Sequence, residues 1–198
     1  TTSAGMLSWA LSEIDFNFSY LVGGRFKNDF LPMGKFQDSP WMVLEVDESD
    51  GTIDGFAPDI TVVLNCDWDH VDRYEHKGSV SDVFKNLLSR TRSGVILSHS
   101  SSLLPWVKKS KRLKVSTFEL EDDAADYMAS NRDASLACAT MMGADVDQVN
   151  FKKFPGMERR QSTLFEDANR LILEDYAHHP TEIRAFLADR RKKFPDRW

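Results

Sequence analysis

Apolar positions recur along the chain in two rhythms. Met6, Leu7, Ala10, Leu11 and Ile14 fall at helical spacing and predict a helix over residues 3–13. Short apolar runs then follow at 18–22, 41–46, 60–64, 94–97 and 113–118. The first ends at Gly23-Gly24, the second breaks into Asp47-Glu48-Ser49-Asp50-Gly51, and the third into Asn65-Cys66-Asp67-Trp68-Asp69-His70. Runs of this length between turn signals read as strands. Residues 80–88 and 103–109 suit helices. An alanine-rich helix over 131–142 should stop at Gly143, the residue type that most readily takes the left-handed conformation at a helix end. A turn at Phe154-Pro155-Gly156 leads to Arg159-Arg160. Leu171-Ile172-Leu173 then reads as a buried strand, and Pro180 opens an amphipathic helix over 181–191. Proline suits a first helical turn because its missing N–H would have no partner there.

Strands alternating with helices predict an α/β fold, a mostly parallel sheet flanked by helices. Such sheets bind ligands at the carboxyl ends of their strands, and three of the expected strands end in dense polar clusters. In Glu45-Val46-Asp47-Glu48-Ser49-Asp50, four acids within six residues repel one another unless a cation or solvent relieves them. Mg²⁺ favours a few carboxylates together with phosphate oxygens and water; a solvated acidic turn is the plainer alternative. In the segment 65–74, His70 flanked by acids can be oriented as a ligand, or Asp67 or Asp69 can cap a helix. The third cluster, Asp175-Tyr176-Ala177-His178-His179-Pro180-Thr181-Glu182, is either a chemical site or a His-rich capping loop. Thr1-Thr2-Ser3 opens the first helix either as the tail of a phosphate-binding loop or as a simple cap.

Composition narrows the class. The chain of 198 residues suits one domain plus part of another, and 41% hydrophobic residues can build a core. A formal net charge of −6, read together with no polybasic block, argues against nucleic acid as a partner. No apolar run reaches membrane-spanning length, so no membrane partner is expected. Cys66 and Cys138 lie too far apart for a metal motif and are expected as free thiols in a reducing cytosol. The opening at Thr1, without a preceding strand, reads as the start of a fragment.

Taken in order, these clusters resemble the Mur ligases of bacterial cell-wall synthesis. Thr1-Thr2-Ser3-Ala4 is similar to the continuation of the family's G-T-H-G-K-T-T-T loop. Glu45 to Asp50 resembles E-A-D-E-S-D, with Val46 for alanine. Asn65, Asp69-His70 and Asp72-Arg73-Tyr74 resemble N-x-x-x-D-H-x-D-x-Y. Asn131 and its alanine-rich helix resemble the end of H-N-x-x-N-A-x-A-A, Gly156 with Arg159-Arg160 resembles G-x-x-R-R, and residues 175–182 resemble D-Y-x-H-H-P-T-E. The D-E-S-D and D-Y-A-H-H-P-T-E wording is similar to members that join L-alanine to UDP-N-acetylmuramate; murein-peptide recycling members usually read D-E-Y-D and D-F-A-H-H-P. The departures are the loop lysine, the amino-terminal UDP-binding domain and most of the carboxyl-terminal domain, which are absent. Tyr127-Met128 stand where the family begins H-N-x-x-N, and the stretch 118–131 is short for the family's central domain.

The resemblance implies a central ATP-binding domain of the P-loop type over 1–157 and the beginning of a Rossmann-like carboxyl-terminal domain over 158–198. It implies ATP and Mg²⁺ as cofactors, UDP-N-acetylmuramate and L-alanine as substrates, a cytoplasmic location, and amide formation through an acyl phosphate. A non-catalytic nucleotide-binding module and a murein tripeptide ligase are the alternatives. Glu45 and His70 would hold Mg²⁺ and act in catalysis. Thr1, Thr2, Asn131, Asp175 and Tyr176 would face the nucleotide, and Arg159, Arg160, His178 and His179 the substrates. Arg159-Arg160 could equally form a surface salt-bridge pair. Lys85 stands where several Mur ligases carry a carbamylated lysine; an exposed helical lysine is the plainer reading.

Overall fold

The computed structural model describes residues 1–68, 74, 76–119 and 127–195. Helix α1 (Thr2–Glu13) is buried along most of its length, with Trp9 and Leu11 inaccessible. It packs on α4 (Tyr127–Met141), whose inner face carries Ser130, Ala134, Ser135, Cys138 and Ala139. These small residues let the two backbones approach. The Ser135 hydroxyl is shared between the carbonyls of Ser3 at 2.9 Å and Asn131 at 2.7 Å. Gly143 ends this segment at φ 88°, as the sequence predicts.

Two three-stranded sheets lie against these helices. In one, β1 (Ser19–Leu21) pairs antiparallel with β2 (Gly34–Lys35) and parallel with β3 (Met42–Leu44). In the other, β4 (Ile60–Val63), β5 (Gly94–Ser98) and β6 (Lys114–Phe118) are all parallel, with β5 central and wholly buried. The crossovers are α2 (Lys77–Arg90) and α3 (Leu104–Lys108). Successive residues of a strand face opposite sides, and β5 divides accordingly. Ile96 joins the core of Trp9, Phe18, Tyr20, Phe26 and Ala139, whereas Val95 and Leu97 join Leu88, Leu103 and Val107 beneath α2 and α3.

The chain then passes through a tightly held connector. Met157, 1% exposed, bridges Phe26, and the Glu158 N–H donates to the Arg25 carbonyl at 2.8 Å. Arg159 and Gln161 take left-handed backbones, φ 57° and 50°. Beyond it, β7 (Ser162–Glu166) and β8 (Leu171–Glu174) form an antiparallel ribbon, followed by α5 (Pro180–Lys193). This corrects the expectation of a buried strand at 171–173. Ile172 is 51% exposed, and the ribbon has no third strand among the described residues. An apolar run of that length reads alike whether one face is covered or both.

A second correction concerns charge. Lys108, Lys109, Lys111, Arg112 and Lys114 are all exposed around the turn from α3 into β6, forming a basic surface that net charge alone does not predict. No helix among the described residues is long and apolar enough to cross a membrane.

Candidate functional site

Glu45 follows β3, and its carboxylate turns back across the end of β1. Oε2 accepts the Gly23 N–H at 2.7 Å. Oε1 accepts the Thr1 hydroxyl at 2.6 Å and lies 2.9 Å from the Thr1 nitrogen. Burial pushes the Glu45 carboxyl up, but its contacts with the Thr1 nitrogen, the Thr1 hydroxyl and the Gly23 N–H outweigh it and hold the group below its ordinary range. The approach opposite it is close: a Cβ on Gly23 would stand 3.0 Å from all three carboxyl atoms, so the carboxylate would have to give by a few tenths of an ångström.

Thr1 occupies the N-cap position of α1 but makes no capping bond with its side chain. The simple-cap reading therefore does not hold: the hydroxyl is directed to Glu45, 44 residues away. Its oxygen also receives the Arg160 guanidinium at 3.2 Å. Thr2 forms the first helical position beside it. Asn131 sits across from this turn, accepting the Ser3 hydroxyl on Oδ1 at 2.6 Å.

The acidic cluster divides in two. Asp47 accepts the Ser49 N–H, and Asp50 accepts both the N–H and hydroxyl of Thr52 at 2.8 Å, so these acids shape a turn. Glu45 stands apart from that turn and faces α1. The Tyr74 hydroxyl donates to the Glu48 carbonyl at 2.6 Å, and Trp68 Nε1 donates to the Tyr74 carbonyl at 3.0 Å. These bonds draw the segment after β4 toward the end of β3. Asp69, His70, Asp72 and Arg73 lie outside the described residues. The cap of α2 is His76, whose Nδ1 accepts the Ser79 N–H at 3.2 Å; Asp67 does not cap it.

The third cluster meets the same region from the other side. Asp175 is pinned by two backbone donors, Gln161 N–H and Ala177 N–H, each at 2.8 Å. Tyr176, 47% exposed, carries the Arg159 and Arg160 guanidinium groups at 5.0 and 4.9 Å from its ring centre. The two arginines then diverge. Arg159 pairs with Glu174 at 3.3 Å, as in the salt-bridge reading, whereas Arg160 reaches Thr1. His178 stacks edge-on against Tyr176. His179 is the N-cap of α5: its Nδ1 accepts the Thr181 N–H at 3.3 Å, and Glu182 reaches back to complete a capping box. Its Nε2 lies 3.2 Å from the Trp68 carbonyl. The capping alternative is thus realised at His179, and the same ring ties this loop to the one after β4. Lys85 pairs with Asp82 at 3.0 Å on α2, in keeping with the plainer reading.

Thr1, Glu45, Arg160 and Tyr176 therefore form one connected surface, and Asn131 of α4 meets the same first turn of α1 through Ser3. Among the described residues no three His, Cys, Asp or Glu side chains are grouped to enclose a metal. A carboxylate and a hydroxyl 2.6 Å apart do fit Mg²⁺, which takes one or two hard protein oxygens and leaves its other positions to water and phosphate. The signal that sequence reading missed is Gln161. Its amide oxygen accepts Arg190 of α5 at 2.7 Å, and its backbone holds Asp175.

No family model matches the chain. It is 29% identical, over its full length, to the UDP-N-acetylmuramate–L-alanine ligase of Coxiella burnetii (strain Dugway 5J108-111), of which it covers 51%. The crystal structure of a UDP-N-acetylmuramate–alanine ligase from Thermotoga maritima superposes with a TM-score of 0.75 at 22% identity, covering 99% of this chain and 52% of that one. A murein peptide ligase from Psychrobacter arcticus gives 0.69 at 18% identity, covering 98% and 53%. The two structures share the fold, and the chain spans about half the length of the curated relatives it matches.

Proposed function

We infer that this chain, a member of the Mur ligase family, carries the Mg²⁺–ATP side of an amide-forming ligase that joins L-alanine to UDP-N-acetylmuramate. The observation that carries the reading is the Thr1–Glu45 contact at the amino end of α1. A helix start offers unpaired N–H groups and a positive dipole end to phosphate, and the adjoining carboxylate and hydroxyl would hold the cation beside it. Bound there, Mg²⁺ supplies charge neutralisation between the triphosphate and the attacking carboxylate.

The chemistry couples two anions. The lactoyl carboxylate oxygen bonds to the γ-phosphorus as the bond to the ADP oxygen breaks, giving an acyl phosphate and ADP. The amine of L-alanine then bonds to the acyl carbon, inorganic phosphate leaves, and the amine gives up a proton. Arg160, fixed over Tyr176, places a permanent positive charge at the phosphate end of this sequence. Glu45 and Thr1 would hold the cation, with His70 the further expected ligand. Thr2, Asn131, Asp175 and Tyr176 are assigned to the nucleotide, and Arg159, His178 and His179 to the substrate side. Residues 1–157 form the nucleotide-binding unit and 158–198 the start of the unit that closes on it.

The likeness to a murein peptide ligase favours a second reading, in which a peptide amine source or peptide substrate replaces L-alanine. Both are tested by measuring ADP release with UDP-N-acetylmuramate, ATP and Mg²⁺. Release dependent on L-alanine supports the first reading. Release dependent on a murein tripeptide in place of L-alanine supports the second. Nucleotide binding with neither reaction makes the chain a non-catalytic module.

A further inference from the structure

We propose that the basic turn between α3 and β6 is a docking surface for an anionic lipid bilayer. Lys108, Lys109, Lys111, Arg112 and Lys114 are exposed there within seven consecutive residues. The Arg112 guanidinium donates to the Ser89 and Thr91 carbonyls at 3.0 and 2.9 Å, which draws the end of α2, with Arg90 and Arg92, onto the same surface. Arg90 and Arg92 are offset by Asp54 and Asp59 at 4.0 and 3.5 Å. Among the described residues Lys108, Lys109, Lys111 and Lys114 have no ion-pair partner, so their charge is available to a partner.

Position supports a planar partner. Lys114 stands in register with Gly94 and Ile60 at the amino ends of three parallel strands. Glu45, Asp47, Glu48, Asp50 and Asp67 follow the carboxyl ends of β3 and β4, and the Trp68–Tyr74–Glu48 bonds hold those two ends together. A five-residue strand spans about 16 Å, roughly twice the screening length of about 8 Å at physiological salt. A chain of net charge −6 is thereby divided into a basic end and an acidic end. A bilayer meets the basic end alone and leaves the Thr1–Glu45 region facing solvent. The patch offers no exposed aromatic platform on which nucleic-acid bases could stack, because Trp106 is half-buried against the core under α3.

The test is co-sedimentation of the protein with vesicles of phosphatidylcholine alone and of phosphatidylcholine with one quarter phosphatidylglycerol, at 50 mM and 500 mM KCl. Binding to the anionic vesicles alone, lost at high salt, is expected. Each surface lysine contributes about fivefold to such partitioning, so combining Lys108→Gln, Lys109→Gln and Lys111→Gln should lower it about a hundredfold. A matched pair, Lys108→Gln with Lys109→Gln against Lys152→Gln with Lys153→Gln on a different exposed turn, removes two charges in each protein, and the second member should lower binding far less. Circular dichroism melts establish that each variant is folded. Equal binding to both vesicle types, equal loss in both double variants, or capture by duplex DNA or polyglutamate without vesicle binding overturns the proposal.

Discussion

The Thr1 hydroxyl lies 2.6 Å from Glu45 Oε1, joining the start of the first helix to the end of the third strand. Glu45 is held below its ordinary carboxylate value of 4.5 by this contact, the Thr1 nitrogen and the Gly23 N–H, against the opposing effect of burial. A depressed carboxyl stabilises the fold fully above its unfolded value and loses that contribution as pH falls through the folded one. A pH series of urea melts from 7 to 3 should therefore show a loss setting in below about 4.5 that Glu45→Gln reduces. Thr1→Val should move the Glu45 titration, followed by carboxyl NMR, upward. An unchanged titration would mean the hydroxyl contact is absent in solution.

The connector is expected to depend on Gln161, which joins Asp175 through its N–H and Arg190 through its side chain. Gln161→Ala should free Arg159 and Arg160 for trypsin, raising cleavage there at least several-fold while cleavage at Lys152 and Lys153 stays constant. Equal rates in wild type and variant would show that the connector is held without this side chain.

Tyr127 faces the same cluster. Burial, with the Gln161 amide opposing, pushes its phenol up to about 12. A raised value keeps the neutral form in the fold, so this contribution is complete below pH 10 and is lost between 10 and about 12 as the unfolded chain ionises. Tyr127→Phe should flatten the fall in melting temperature across that window. A variant that loses as much as wild type would place the phenol in contact with solvent.

Much of the architecture was legible because its signals are local. Helical spacing at Met6, Leu7, Ala10 and Leu11, the short run 94–97 that becomes β5 and the stop at Gly143 each follow from one stretch of chain. The strand β7 was not legible, since Ser162–Glu166 is mostly exposed and has too little apolar content to mark it. Its partner β8 reads as buried because an apolar run does not say whether a second layer covers it. In the site, Glu45 was legible as part of an acidic cluster, but its separation from Asp47 and Asp50 depends on Gly23 and Thr1, which lie far away in sequence. Gln161 carries no sequence signal; its role comes from a left-handed backbone and two long-range partners. The basic turn was visible in the sequence, and reading net charge for the whole chain concealed it.

Close packing at the connector gives a further expectation. A Cβ on Gly5 would stand 2.5 Å from Met157 Sδ, itself inaccessible. Gly5→Ala should destabilise the fold by about 1–3 kcal/mol, the usual cost of overpacking. Met157→Ala alone should destabilise it through the cavity left behind, and the double variant should lose less than the two single losses added. Simple additivity in urea melts would contradict the contact.

His179 caps α5 through Nδ1. His179→Ala should cost about 1 kcal/mol, and His179→Asn, which retains a capping acceptor, should cost less. Urea melts followed by helical circular dichroism measure both, and equal losses would argue against the capping role.

The central claim, that Glu45 and Thr1 form the cation side of a nucleotide site, is tested most directly by calorimetric titration of ATP into the protein and into Glu45→Gln, with and without Mg²⁺. The account predicts Mg²⁺-dependent binding in the wild type and at least a tenfold loss of that dependence in the variant. ATP binding of equal strength in both proteins, or binding indifferent to Mg²⁺, would contradict it.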